Sequence, residues 1–317
     1  MRTPAHRLLL VGAAAGLVAG LLAIPPPASS VTGPGVAEHQ PDRAPDRSPD
    51  GRRPRNPLVS VAGDIACGPN VDAYNGGNGT ATQCRQKYTS RLILGSDAVW
   101  TLGDHAYPNA TLENLRIAYS PTWGRKKRIT YPTPGDHDYD DTRRDYHRYF
   151  GTRPYYTFTM GGWRVFSLNS EIDHSRKSAQ VRWLRRQLSS PGADCIAAYW
   201  GVPRWSSGSE GGDASFGPFV RSLVKRRADL MLGGDTHNYE RFARQTASGA
   251  RQARGIRQFV VGTGGRSLDG FPDVHRNSEV RRQAFGVLNL RLRNSSYEWR
   301  FVSQSRRTLD AGRTRCH

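Results

Sequence analysis

Four short stretches of this 317-residue chain combine glycine with carboxylate or imidazole side chains. They read AGDIAC, with Asp64; LGDHAYPN, with Asp104, His105 and Tyr107; PGDHDY, with Asp136, His137 and Asp138; and GGDTHNYER, with Asp235, His237, Asn238, Tyr239 and Glu240. A lone Gly-Asp pair after a strand is ordinarily a turn or a helix cap. Four such loops, each carrying acids or histidine, suit another task. A hard divalent cation needs several oxygen and nitrogen ligands converging from separate loops. Two cations about 3.5–4 Å apart share at least one carboxylate, and such a pair can hold a hydroxide and clamp a phosphoryl group.

Loops converge only if the elements before them are aligned. LVSVAG (58–63), DAVWTLG (97–103), CIAAYW (195–200) and ADLMLG (228–233) read as buried strands. Helices are expected over 82–94, 111–119, 178–189 and 217–227. A long loop is expected through SPTWGRKKRITYPTPGDHDY. YYTFTMGGWRVFSLN (155–169) reads as a hairpin turning at Gly161-Gly162. The segment from Arg257 to Ser303 reads as all-β. This alternation implies a layered α/β sandwich. In such sheets the loops at the strand ends gather into one crevice.

The order and context of the four loops resemble the calcineurin-like metallophosphoesterases, in the branch similar to purple acid phosphatases. The family pattern is a first aspartate, then Gly-Asp, Gly-Asn-His-Glu/Asp, a histidine shortly before a proline, and Gly-His-x-His. The branch lacks a histidine two residues after the first aspartate, as in DIA here, and has a tyrosine three residues after the second, as Tyr107 in GDHAY. PTWGRKK, LNSE, PRWSSG, HNYERF and VVGTGG also fit, so the resemblance runs from about Val59 onward.

The resemblance implies a four-layer α/β/β/α metallophosphoesterase sandwich over residues 58–317. It implies a first metal, iron in this branch, on Asp64, Asp104, Tyr107 and His237, with Asp104 bridging to a second. It implies His137 at the leaving-group oxygen, oriented by Asp138. The implied reaction is phosphoester hydrolysis, a metal-held hydroxide attacking phosphorus in line while His137 assists the departing alcohol. A phosphomonoester is the expected substrate; a phosphodiester or nucleotide is the alternative.

The second metal site departs from the pattern. Asp136 replaces the family asparagine, Asp235 the first histidine of Gly-His-x-His, and Gly201 the histidine two residues before Pro203. His105 stands where the family has asparagine. Two readings follow. Asp136 and Asp235 make an oxygen-rich site, favouring magnesium, manganese or calcium over zinc. Alternatively the site is lost, one metal remains and water fills the gap at Gly201; the rival function is then a non-catalytic phosphate-binding relative that keeps the fold and one metal.

The remaining residues bound the setting. Arg2, His6 and Arg7 precede an apolar run from Leu8 to Ile24, followed by prolines and small residues. Residues 1–30 read as an export signal, with retention as an N-terminal membrane anchor the alternative. Residues 31–57 read as a Pro/Arg/Asp-rich linker. Secretion suits the even cysteine count, and the preferred pairs are Cys67–Cys84 and Cys195–Cys316. The formal charge of +19 comes almost wholly from arginine, with only five lysines. It fits attraction to phosphate, or merely an arginine-rich surface. Arg204 and Arg241 are candidates to meet a substrate phosphate. No zinc-finger or RNP pattern is visible, so specific nucleic-acid binding is not expected. GTGG at 262–265 lacks a P-loop lysine, so nucleotide cradling is not expected there either.

Overall fold

The structure is a computed structural model that describes residues 55–139, 142–190 and 192–317. The expected export signal and nearly all of the linker lie outside these residues. β1 (Leu58–Ala62), β2 (Ala66–Cys67), β3 (Ala98–Leu102), β4 (Ala106–Tyr107) and β5 (Thr130–Thr133) come first. β6 (Tyr156–Met160), β7 (Trp163–Ser167), β8 (Cys195–Tyr199), β9 (Leu230–Gly233), β10 (Tyr239–Phe242), β11 (Arg257–Val261) and β12 (Ser278–Arg282) follow. β13 (Gly286–Arg293), β14 (Ser296–Ser303) and β15 (Thr308–Arg315) complete the set.

Two large sheets form. One has the order β15-β14-β13-β1-β3-β5, the other β12-β10-β11-β9-β8-β7-β6, and β2 pairs with β4 alone. β1, β3 and β5 run parallel, as do β7, β8, β9 and β11. Side chains alternate across a strand, and the second sheet uses both faces. Val165, Ala197, Leu230, Leu232, Phe259 and Val261 join the core shared with the first sheet. Their neighbours Phe166, Ala198, Met231 and Val260 join a second core under helices Ala179–Ser189 and Gly217–Lys225. Trp100 of β3 stacks on Tyr199 of β8 across the inter-sheet core, with centroids 5.3 Å apart. One residue on, Thr101 turns to the opposite face and meets His105, which is packed among Tyr119, Tyr146 and Phe150. Helical segments 112–119 and 143–150 supply those aromatics and form the outer layer, so the expected α/β/β/α order holds.

The hairpin turns where expected, with Gly161 and Gly162 at φ 56° and 84° as a two-residue hairpin of the primed type needs. Both expected disulfides form. The helix expected over 82–94 shortens to Gln86–Thr89. Its start is held by the Cys67–Cys84 bridge and by hydrogen bonds from Cys84 N to Arg266 O and Arg85 N to Gly265 O. The long loop expected after residue 119 contains β5, an edge strand able to accommodate Pro132, and the short helix Asp136–Tyr139. Pro57 O accepts from Leu292 N.

Candidate metal centre

The loops of interest leave the C-terminal ends of parallel strands. Asp64 follows β1, Asp104 follows β3, Asp136 follows β5 and Asp235 follows β9. Ser170, Gly201 and Arg266 follow β7, β8 and β11. Hydrogen bonds from Gly63 N to Val261 O and from Gly264 N to Gly63 O, each 2.8 Å, stitch the two sheets together at this edge.

Three of the aspartates share an uncommon backbone. Asp64, Asp104 and Asp235 have φ of 60°, 53° and 66°, the left-handed region that costs an L-residue about 1–2 kcal/mol. Aspartate tolerates it better than most residues. Such strain gathers at functional sites. Glycines leave room for the carboxylates: a Cβ on Gly135 would lie 2.2 Å from Asp104 Oδ1, and one on Gly262 2.8 Å from Asp64 Oδ2.

The Tyr107 hydroxyl lies 2.9 Å from Asp64 Oδ1, 2.9 Å from Asp104 Oδ2 and 3.1 Å from His237 Nε2. His237 Nε2 is 3.2 Å from Asp64 Oδ1, and Ser267 Oγ sits 2.6 Å from its Nδ1. These are the four residues expected to hold the first metal. Asp104, Asp136 and His137 also converge, with one ligand atom from each within 4.8 Å of the others. Asp235 donates its backbone N–H to Asp64 Oδ2 at 3.0 Å.

The electrostatics are those of crowded acids. Burial, then Asp64, Asp136, Asp138 and Asp235, pushes the Asp104 carboxyl well up. Burial, then Asp64 and Asp136, pushes Asp235 up to about 7. Burial, then Asp104 and Asp64, holds Tyr107 well above the usual phenol range. Burial pulls His237 down, but Asp64 and Asp269 outweigh it and its pKa ends above the usual value. In a chain of charge +19, this concentration of acid fits a cation. The Tyr107 hydroxyl has one proton for two carboxylates. Oxygen and imidazole donors of this kind suit a metal ion.

Comparison with known proteins adds the fold. No protein-family model and no curated protein matches the sequence. Among solved structures, the chain is similar to purple acid phosphatase PPD1 from yellow lupin, with a TM-score of 0.70 and 18% identity. That likeness covers 82% of this chain but only 54% of the lupin protein. It is also similar to Plasmodium GAP50, described as the anchor in the inner membrane complex, with a TM-score of 0.62, 14% identity and coverage of 83% and 89%. PhoD gives 0.55 and 12%, over 84% and 69%. This is the calcineurin-like metallophosphoesterase fold.

Within that fold several expectations need correction. Asp138 does not orient His137. Its carboxylate accepts from the backbone N–H groups of Asp104, His105 and Gly135 at 2.8, 3.1 and 3.0 Å, and lies 2.8 Å from His105 Nδ1. His137 Nδ1 instead donates to the Pro108 carbonyl at 2.6 Å. His105 is fully buried and also meets Thr101 Oγ1 at 2.7 Å. Gly201 borders no open gap: an added Cβ would lie 2.6 Å from Ser170 Oγ and 3.1 Å from the Pro134 carbonyl oxygen. Arg241 is tied to Asp310 and Glu279 against Trp299, and Arg204 lies over Trp205. His147 and His174 are half-buried against Tyr139 and Phe216.

The sequence reading missed Arg266 and Ser267. Arg266 holds its guanidinium 5.2 Å above the Tyr107 ring, and Ser267 fixes the His237 ring. Both follow β11 directly after GTGG, so the strand-end rule that found the other loops applies to them too.

Proposed function

We propose that this chain is a metal-dependent phosphoester hydrolase acting on a phosphomonoester outside the cytoplasm. The observation that carries the reading is the meeting of Asp64, Asp104 and His237 around the Tyr107 hydroxyl within 3.1 Å. In this reading Asp64, Asp104, Tyr107 and His237 hold the first metal, and Asp104, Asp136 and Asp235 the second. When bound, the metals supply an activated water and neutralise phosphoryl charge.

The protein's own residues do the rest. His137 is half exposed, its ring tilted against Tyr107 with centroids 4.3 Å apart. Its Nδ1–H is committed to Pro108 O, which leaves Nε2 to give a proton to the leaving oxygen. Arg266, beside Tyr107, is placed to pair with a phosphoryl oxygen. The two disulfides fit an oxidising compartment. Among the described residues no helix is long and apolar enough to cross a membrane.

The test combines metal analysis with turnover of a chromogenic phosphomonoester and diester across iron, zinc, manganese, magnesium and calcium. Monoester turnover lost in His137→Ala supports the proposal, and preference for the diester moves the substrate class. No turnover with any cation sinks it. That last outcome favours a second reading, a phosphate-binding relative without catalysis. The packed Gly201 and the exchange of histidine for Asp235 motivate it.

A further inference from the structure

Helices Ala179–Ser189 and Gly217–Lys225 lie side by side on the outer face of the second sheet, and neither contains an acidic residue. Between them lies a cleft of about 690 Å³ lined by Arg176, Arg185, Arg221, Lys225 and Arg226, with no carboxylate in its wall. All five cations are exposed. Five arginines elsewhere do meet acids: Arg241, Arg251 and Arg257 converge on Glu279, and Arg293 and Arg313 on Glu298. Among the described residues, no ion pair involves the five cations of the cleft.

Two of the guanidinium groups are held in place by neutral partners. Arg185 Nε donates to Ser222 Oγ at 3.3 Å and its Nη1 to the Arg176 carbonyl at 3.3 Å. Arg226 Nη2 donates to Ser189 Oγ at 3.0 Å. Arg221 and Lys225 stand one helical turn apart, a like-charge spacing that weakens an isolated helix. Neutral anchoring and uncompensated charge together describe a surface prepared for an anion.

We infer that this cleft docks a soluble, multiply phosphorylated anion, at a site separate from the metal centre. Arginine forks match phosphate oxygens in pairs. Five cations and no carboxylate in one cleft carry more positive charge than a single phosphate balances, which suits a chain or ring of several. The volume is that of a small-molecule site, usually about 300–1,000 Å³. A bilayer is disfavoured because the cleft's one apolar wall residue, Leu188, is 5% exposed and offers nothing to insert.

The experiment titrates the full chain with inorganic tripolyphosphate by calorimetry and maps arginine protection from phenylglyoxal by mass spectrometry. The comparison is the triple variant Arg185→Gln, Arg221→Gln, Arg226→Gln, whose positions are exposed and whose fold is checked by thermal melting. The expected result is protection of Arg185, Arg221 and Arg226 and at least tenfold weaker binding in the variant. Equal affinity in both proteins overturns the assignment. So does protection centred on Arg291 and Arg300, on the outer face of the first sheet. Binding to anionic phospholipid vesicles that tripolyphosphate fails to displace would assign the cleft to a membrane instead, and tighter binding of single-stranded DNA would assign it to nucleic acid.

Discussion

The Asp138 carboxylate sits 2.8 Å from His105 Nδ1, and both side chains are fully buried. The pair locks two loops of the centre together, because the same carboxylate also accepts the Asp104, His105 and Gly135 backbone N–H groups. Asp138 therefore acts on Asp104, the expected bridging ligand, rather than on His137. Asp138→Asn keeps the shape but replaces an accepting oxygen with a donor facing donors. It is expected to cost about 1–3 kcal/mol in urea unfolding and to weaken metal binding. Turnover should fall only as far as metal occupancy falls, because His137 is held by Pro108 O and not by Asp138. A loss of turnover with unchanged stability and metal occupancy would restore the Asp138–His137 pairing.

Tyr107 carries the second prediction. Its hydroxyl touches three of the four first-site residues, so Tyr107→Phe should lower metal affinity more than tenfold by calorimetry. If iron occupies the site, the visible iron–tyrosinate colour should vanish with it. Chelation should lower the melting temperature of the natural protein, since a ligand that binds only the folded state stabilises it. The shift should be smaller in Tyr107→Phe.

Asp229 gives a pH dependence remote from the centre. Burial raises it to about 6, although it accepts from Ile196 N and His317 N at 2.9 and 2.8 Å. The folded pKa lies above the unfolded value of 3.8, so the folded state binds the extra proton. The resulting stability is fully present below about pH 4 and is lost as pH rises through about 6, an effect on the order of 2–3 kcal/mol. Urea midpoints across that window should fall with pH for this group. In Asp229→Asn that part of the slope should disappear, and an unchanged slope would show that the group titrates normally.

What the sequence made legible follows from local chemistry. A Gly-Asp pair after an apolar run states both the strand and its strained exit, so Asp64, Asp104 and Asp235 could be read directly. Cys67–Cys84 could be read because the two cysteines enclose a glycine- and asparagine-rich loop. β5 was hidden because Pro132 and a polar setting disguise an edge strand. β12 and β15 were hidden because they are edge strands with little apolar surface to bury. The partner of Asp138 was hidden for another reason. His105 and His137 are both near it in sequence or motif, and only the packing of His105 among Tyr119, Tyr146 and Phe150 selects between them.

Gly201 tests whether the second site is a decayed copy or a distinct arrangement. A histidine there would restore the family ligand if space allowed. The structure fills that space with Ser170, whose hydroxyl is bonded to Glu171, and with the Pro134–Gly135 backbone. Gly201 O also accepts from Gly234 N at 2.6 Å, tying this loop to the one that carries Asp235. Gly201→His must push these loops apart, at about 1–3 kcal/mol of overpacking. Activity should fall, and Ser170→Gly should recover part of the stability by making room. A rise in phosphatase activity in Gly201→His alone would mean that Ser170 yields freely and that the site had only lost its histidine. A fall, with manganese or magnesium binding retained in the natural protein, would identify Asp104, Asp136 and Asp235 as a working carboxylate site.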